Sequence, residues 1–181
     1  MDLTGRLDDT RDDLIERAVA GDEAAFARIV AAHHDAMTRV CFVVCGDIDD
    51  ADEAVNAAWS IAWRRMRDVR EPDRLRSWLV TIAANEARRV SRRDRRRPVY
   101  QLDLAADVPS RSGDPANRPQ DLDLVNALAR LDLEDRRLLA LRYVAGFDSF
   151  ELAKATGRSA SGTRARLARL LDRLRKDLAD D

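Results

Sequence analysis

Three groups of residues in this chain have types and spacings that could do chemistry: a capped helical segment rich in arginine, a second run of arginines, and a small set of soft metal ligands. The first is Gly146-Phe-Asp-Ser-Phe-Glu-Leu-Ala-Lys-Ala-Thr-Gly-Arg-Ser-Ala-Ser-Gly-Thr-Arg-Ala-Arg-Leu167. Asp148 and Glu151 have the spacing of a capping box, Gly157 suits a left-handed helix end, and Ser159 can cap the next helix. The pattern predicts a helix-turn-helix. Thr163, Leu167, Leu170 or Leu171, and Leu174 then share one face of the second helix, and Arg164 points away from it. Such a helix fits the DNA major groove, where a guanidinium can read guanine bidentately. An ordinary helical hairpin with a solvated basic face carries the same local pattern. The metal candidates are Cys41 and Cys45, one helical turn apart, with His33 and His34 upstream. Zinc uses such ligands, but the spacing matches no common zinc module. Both thiols lie in the apolar run Val40-Cys-Phe-Val-Val-Cys45, which predicts buried core cysteines. There is no Walker loop, no Gly-rich dinucleotide turn and no cluster of metal carboxylates. Neither a catalytic site, nor a metal, nor a cofactor is therefore expected.

The elements that must position these groups follow from composition and periodicity. Of 181 residues, 45% are hydrophobic, 36% charged and 5% aromatic, with only 7 Gly and 5 Pro. This favours amphipathic helices over strands and predicts an all-α chain. Apolar stripes at helical spacing run through Leu14, Ile15, Ala18 and Val19, restart at Ala25, Phe26, Ile29 and Val30 with Asp22 as cap, and return at about 36–45, ending at Gly46. Val55, Trp59, Ala62 and Met66 share the next face, which Asp49-Asp50 lead into; Leu75, Trp78, Leu79, Ile82 and Ala83 share another. From Pro98 to about Gln120 periodicity disappears among four prolines, the composition of a flexible linker. Helical pattern resumes at Leu122, where Leu124, Val125, Leu128 and Leu131 give one helix, and Leu138, Leu141 and Val144 give another that ends at Gly146. Two small helical domains, 1–97 and 121–181, joined by the linker 98–120, are expected.

Charge is segregated along the chain although its net value is −1. Met1 to Asn56 holds 14 acids against 5 Arg, a balance of −9, whereas Arg64 to Arg97 holds 13 Arg against 5 acids, a balance of +8. That asymmetry points to one nucleic-acid-facing surface and one facing something else. No apolar run approaches the ~20 residues of a membrane helix, so no membrane insertion is expected. The acidic N-terminus lacks a signal-peptide core, so a cytoplasmic location is expected.

Five motifs in a fixed order carry a family resemblance. Gly21-Asp-Glu-Ala-Ala-Phe26, Ala51-Asp-Glu-Ala-Val-Asn-Ala-Ala-Trp-Ser-Ile-Ala-Trp-Arg64, and Arg76-Ser-Trp-Leu-Val-Thr-Ile-Ala-Ala-Asn85 with the basic run to Arg97 make up the first part. Leu131-Asp-Leu-Glu-Asp-Arg-Arg-Leu-Leu-Ala-Leu-Arg-Tyr143 and Glu151-Leu-Ala-Lys-Ala-Thr-Gly-Arg-Ser159 make up the second, with a one-residue offset at Arg136/Arg137. Over about residues 17–177 the chain resembles the extracytoplasmic-function (ECF, group 4) sigma factors of the sigma-70 family, which keep only regions 2 and 4.

The resemblance implies a non-enzymatic protein that binds core RNA polymerase and directs it to promoter DNA, and it implies an anti-sigma factor as regulator. Asp52, Glu53, Asn56 and Ala57 fall on the helix that meets the polymerase. Here the family's Asp-Leu-Val-Gln-Glu reads Glu53-Ala-Val-Asn-Ala57, and Ala57 removes a carboxylate, a change that implies weaker core affinity. Asn85 corresponds to the family's asparagine near the nontemplate strand of the minus-ten element, and Arg88, Arg89, Arg92 and Arg93 to phosphate contacts beside it. Arg158, Ser159, Ser161, Arg164, Arg166 and Arg169 are the candidates for the minus-thirty-five element, with Arg164 best placed for guanine. Because Ala160, Ser161 and Gly162 are small, specificity there is expected to lean on backbone contacts and DNA shape. A sigma-like adaptor, or a helix-turn-helix regulator that never engages polymerase, is the competing reading.

Overall fold

In the computed structural model, residues 12–69, 71–93 and 127–178 are described, and among them there is no strand. Helix α1 covers residues 12–19. Gly21, at φ 93°, turns the chain into α2, Glu23–Cys45. Asp22 starts α2 by accepting hydrogen bonds from the amides of Ala24 and Ala25, at 2.9 and 3.1 Å. Sequence periodicity predicts two helices here, one restarting at Ala25 and one over about 36–45, but the structure joins them into a single 23-residue helix. The reason is that nothing breaks the stripe. Half-buried His33 stands four residues from both Ile29 and Met37 and continues their face, while His34 and Asp35 stay exposed.

Asp47 caps α3, Ile48–Arg64, through the Asp50 amide at 2.9 Å, so Asp49 and Asp50 lie in its first turn, where negative charge suits the helix dipole. Two short 3₁₀ turns, Met66–Asp68 and Pro72–Arg74, lead into α4, Leu75–Arg93. Helices α2, α3 and α4 pack on one another pairwise. Ala83, Ala84 and Ala87 of α4 are fully buried and let α2 approach closely. The thiols of Cys41 and Cys45 lie 3.5 and 3.6 Å from the carbonyls of Ala83 and Ala87 and donate to them. Cys41 is buried and Cys45 half-buried, both as free thiols, and burial raises both thiol pKa values, that of Cys45 to about 11. Among the described residues, no group of three or more His, Cys, Asp or Glu is placed to hold a metal. Trp78, which helical spacing places on the apolar face of α4, is only half-buried.

The second block is described from residue 127, so the first half of the helix expected from Leu122 to Leu131 and the whole segment 98–120 lie outside the described residues. Helix α5, Leu133–Leu139, is capped by Asp132. Where one helix is expected to run on toward Gly146, the backbone instead widens into a π turn over Ala140–Val144. Its wider spacing is carried by the Ala145 amide on the Ala140 carbonyl and the Phe147 amide on the Leu141 carbonyl, each at 3.0 Å. The extra residue swings Phe147 inward to 1% exposure. Helix α6, Ser149–Thr156, and helix α7, Ala160–Asp177, complete the block.

The two blocks pack against each other, α2 and α4 against α5 and the π turn. Each block caps a helix end of the other. Arg136 donates to the carbonyl of Cys45, the last residue of α2, at 3.3 Å, and Arg76 donates to the carbonyl of Ala145 at 2.7 Å. These are positions where helix-end carbonyls lack partners and where cations are favoured. Ser77 adds a 2.5 Å hydrogen bond to Glu151 across the same seam. Among the described residues no helix is long and apolar enough to cross a membrane.

Candidate nucleic-acid interface

The expected helix-turn-helix is built by the residues that predict it. Asp148 accepts from the amides of Phe150 and Glu151 at 2.7 and 2.8 Å, and Glu151 returns the bond from the Asp148 amide at 3.0 Å. Gly157 ends α6 at φ 67°, and Ser159 caps α7 by accepting from Gly162 at 3.1 Å. A Cβ on Gly162 would stand 3.0 Å from that Ser159 hydroxyl, so the small residue keeps the cap close. Thr163, Leu167, Leu170 and Leu174 are buried beneath α7. Arg158, in the turn before α7, and Arg164 and Arg169 on its outer side are exposed, and their guanidinium groups make no hydrogen bond or ion pair with any described residue. Ser161 is also exposed, 3.3 Å from the Ser159 hydroxyl.

The amides of Glu151 and Phe150 hold the Asp148 carboxyl below its ordinary range. A depressed carboxyl pKa contributes stability above the unfolded value, and that contribution is lost as pH falls through the folded one. An Asp148→Asn variant keeps a capping acceptor without the charge. The melting-temperature gap between wild type and variant is therefore expected to narrow between about pH 6 and about pH 3. Thermal melts followed by circular dichroism at the two pH values check this.

Arg166 does not face outward with the others. Its Nε donates to Asp135 at 2.6 Å and its Nη2 lies 3.4 Å from Asp132, and Arg173 donates to the other oxygen of Asp135 at 2.5 Å. Asp135 is 2% exposed, so a buried carboxylate of α5 grips α7 through two arginines two turns apart on one face. Its hydrogen bond raises the Arg166 pKa further.

The second candidate surface lies on α4. Asn85, Arg88, Arg89, Arg92 and Arg93 occupy its outer side, opposite the buried Ala83, Ala87 and Val90. Every one of them has a partner. Asn85 Oδ1 accepts from Arg137 at 2.7 Å, and Arg137 also donates to the Ala155 carbonyl at 2.6 Å. Arg137 is 3% exposed, and burial lowers its pKa. Arg88 and Arg92 lie 2.6 and 3.3 Å from one oxygen of Glu134, while the other is 3.6 Å from Arg137. Arg89 pairs with Glu86 on its own helix, and Arg93 with Glu53 of α3. That bond from Arg93 lowers the Glu53 pKa.

On α3, Asp52, Glu53 and Asn56 are exposed beside one another and Ala57 is half-buried, opposite the buried Ala51, Ala58 and Ala62. Trp59 meets Phe26 edge-on at 5.8 Å between centroids and donates its indole N–H to His34 Nδ1 at 3.2 Å. Trp63 packs on the same phenyl ring at 4.8 Å. Sequence reasoning did not single out Glu134, Asp135 or Arg137. The acids of Asp132-Leu-Glu-Asp135 read locally as first-turn charges, and nothing local pairs them with residues 31–52 positions away.

A helix-turn-helix with a free basic recognition face, beside a helical bundle with a polar and arginine-rich outer helix, defines a DNA-directed regulator of the all-α class. Residues 29–97 match the Sigma-70 region 2 family. ECF RNA polymerase sigma factor SigM of Mycobacterium tuberculosis is 30% identical over 92% of this chain and 87% of its own. RNA polymerase sigma factor NccH of Alcaligenes xylosoxydans xylosoxydans is 28% identical over 86% of this chain and 88% of its own. The solved structure of CnrH, in complex with the cytosolic domain of CnrY, superposes with a TM-score of 0.68 at 26% identity, covering 93% of this chain and 96% of that one. The chain belongs to the ECF sigma factors of RNA polymerase.

Proposed function

We propose that this sigma factor binds core RNA polymerase and directs promoter-specific initiation with a division of labour between its two blocks. Residues 1–97 act as region 2 and residues 121–181 as region 4, with 98–120 as the connection. The exposed group Asp52, Glu53, Asn56 and Ala57 on α3 meets the polymerase. Asn85, Arg88, Arg89, Arg92 and Arg93 meet the opened minus-ten strand, where a basic groove and a base contact act together. The outer face of α7, with Arg158, Ser159, Ser161, Arg164 and Arg169, reads the minus-thirty-five element, and Arg166 works from behind by setting the helix. The chain supplies address and strand capture, and the polymerase supplies the chemistry. An anti-sigma factor belongs to this reading, since the similar CnrH is solved with a protein partner.

The observation that carries the proposal is the free outer face of α7: three exposed arginines that no carboxylate of the described residues holds. Substituting Arg164→Ala is expected to relax sequence preference at one base pair, at about 1–3 kcal/mol of discrimination. Binding to a randomised duplex library measures it. A uniform loss across all sequences would instead make Arg164 a phosphate contact. The reading as a whole is tested by run-off transcription with purified core polymerase, a promoter library and this protein as the sole sigma source. Specific initiation supports it, and failure to bind core polymerase at all overturns it in favour of a DNA-binding regulator.

A further inference from the structure

The two DNA-facing surfaces are in opposite states. On α7 the candidate readers stand free, whereas on α4 three of five are held by one short stretch of α5. Glu134 brings a carboxylate oxygen to Arg88 and Arg92 together, the charge and geometry a phosphate would offer them. Arg137 fills the hydrogen-bonding edge of Asn85 with a guanidinium donor, as a base would. The arginine caps on Cys45 and Ala145 align the blocks so that these contacts form.

We infer that Glu134 and Arg137 of α5 form an intramolecular latch that occupies the single-strand-binding side of α4 while leaving the duplex-reading face of α7 open. The inference rests on the proposed assignment of Asn85, Arg88 and Arg92 to single-stranded DNA. In its latched form the chain engages duplex DNA through α7 but is closed to the unpaired strand. Strand capture requires α5 to leave α4. The Glu134 contacts lie at the rim of the seam, with Arg88 at 33% and Arg92 at 55% side-chain exposure, and are weak enough to exchange for DNA phosphates, whereas buried Arg137 leaves Asn85 only when α5 parts from α4. An acceptor populated only in the open fraction binds with an apparent affinity reduced by that fraction.

The test uses the full chain and fluorescence anisotropy with two probes, a mixed-sequence single-stranded oligonucleotide and its mixed-sequence duplex. Glu134→Gln is expected to tighten single-strand binding about three- to tenfold with duplex binding unchanged. Small-angle scattering is expected to show a larger radius of gyration for the variant. Adding Arg88→Ala and Arg92→Ala to Glu134→Gln should abolish the gain. A gain in affinity at unchanged radius would be simple relief of charge repulsion and would overturn the latch. No gain from Glu134→Gln, with single-strand binding still lost on Arg88→Ala and Arg92→Ala, would overturn the latch and leave the α4 assignment standing. Single-strand binding indifferent to all three substitutions would remove the α4 assignment and the latch with it.

Discussion

An Asp135→Ala variant is expected to unfold the helix-turn-helix block about 2–3 kcal/mol more easily than wild type. The carboxylate is 2% exposed and serves two arginines of α7 from a single position on α5. Removing one member of a buried pair usually costs about 3–5 kcal/mol because the remaining charge is stranded. Here the cost is smaller, since Arg173 is 60% exposed in its side chain and rehydrates while Arg166, at 24%, does so only in part. The loss falls on α7, the helix proposed to read the minus-thirty-five element. Duplex affinity should drop with stability, and Asp135→Asn, which keeps an acceptor for Arg166, should fall between. Urea unfolding followed by circular dichroism measures the first effect and duplex anisotropy the second. Unfolding curves that coincide for wild type and Asp135→Ala would reduce these ion pairs to surface contacts without a positioning role.

The second large effect is expected at Trp59. Truncation of a buried tryptophan to alanine costs about 3–5 kcal/mol. Trp59 is 8% exposed, edges onto Phe26, and spends its indole N–H on His34. Its loss removes the anchor of α3 against α2 and leaves Phe26 with Trp63 alone among its ring neighbours. Because Asp52, Glu53 and Asn56 lie on the outer side of that helix, core-polymerase binding should fail together with the fold. Trp59→Phe keeps most of the ring but leaves His34 without its donor, and should lose well under half as much. Denaturant midpoints compared with polymerase pull-down at low temperature distinguish the loss of fold from loss of a contact.

Helix identity and local capping were legible from sequence because their causes are local. Asp22, Asp148, Glu151, Gly157 and Ser159 each act within a few residues, and the buried stripe of α7 follows from spacing alone. The continuity of α2 was less legible, since His33 is polar by type yet stays on the buried face by position. The π turn had no signal in Ala140-Leu-Arg-Tyr-Val144, which reads as ordinary helix; its cause is the burial of Phe147 further on. The partners of the site residues were least legible. Whether Arg164 is free and Arg166 is held depends on Asp135, 31 residues before Arg166 and on another helix. Arg88 and Arg92 likewise look alike with Arg89 in the sequence, and only tertiary packing gives the first two to Glu134 and the third to Glu86.

The two cysteines make the contact between α2 and α4 chemically addressable without any engineered label. Each thiol is tucked against a carbonyl of α4, and burial keeps it protonated and unreactive while the helices stay together. A thiol reagent can therefore reach the fully buried Cys41 only when α2 lifts from α4, and its modification rate becomes a clock for that opening, with half-buried Cys45 as a second, partly accessible one. Both clocks sit in the first block, since the second block, from Leu131 to Asp181, has no cysteine. Kinetics of labelling in the unaltered chain thus report the parting of α2 from α4 in the first block, with no signal from the second.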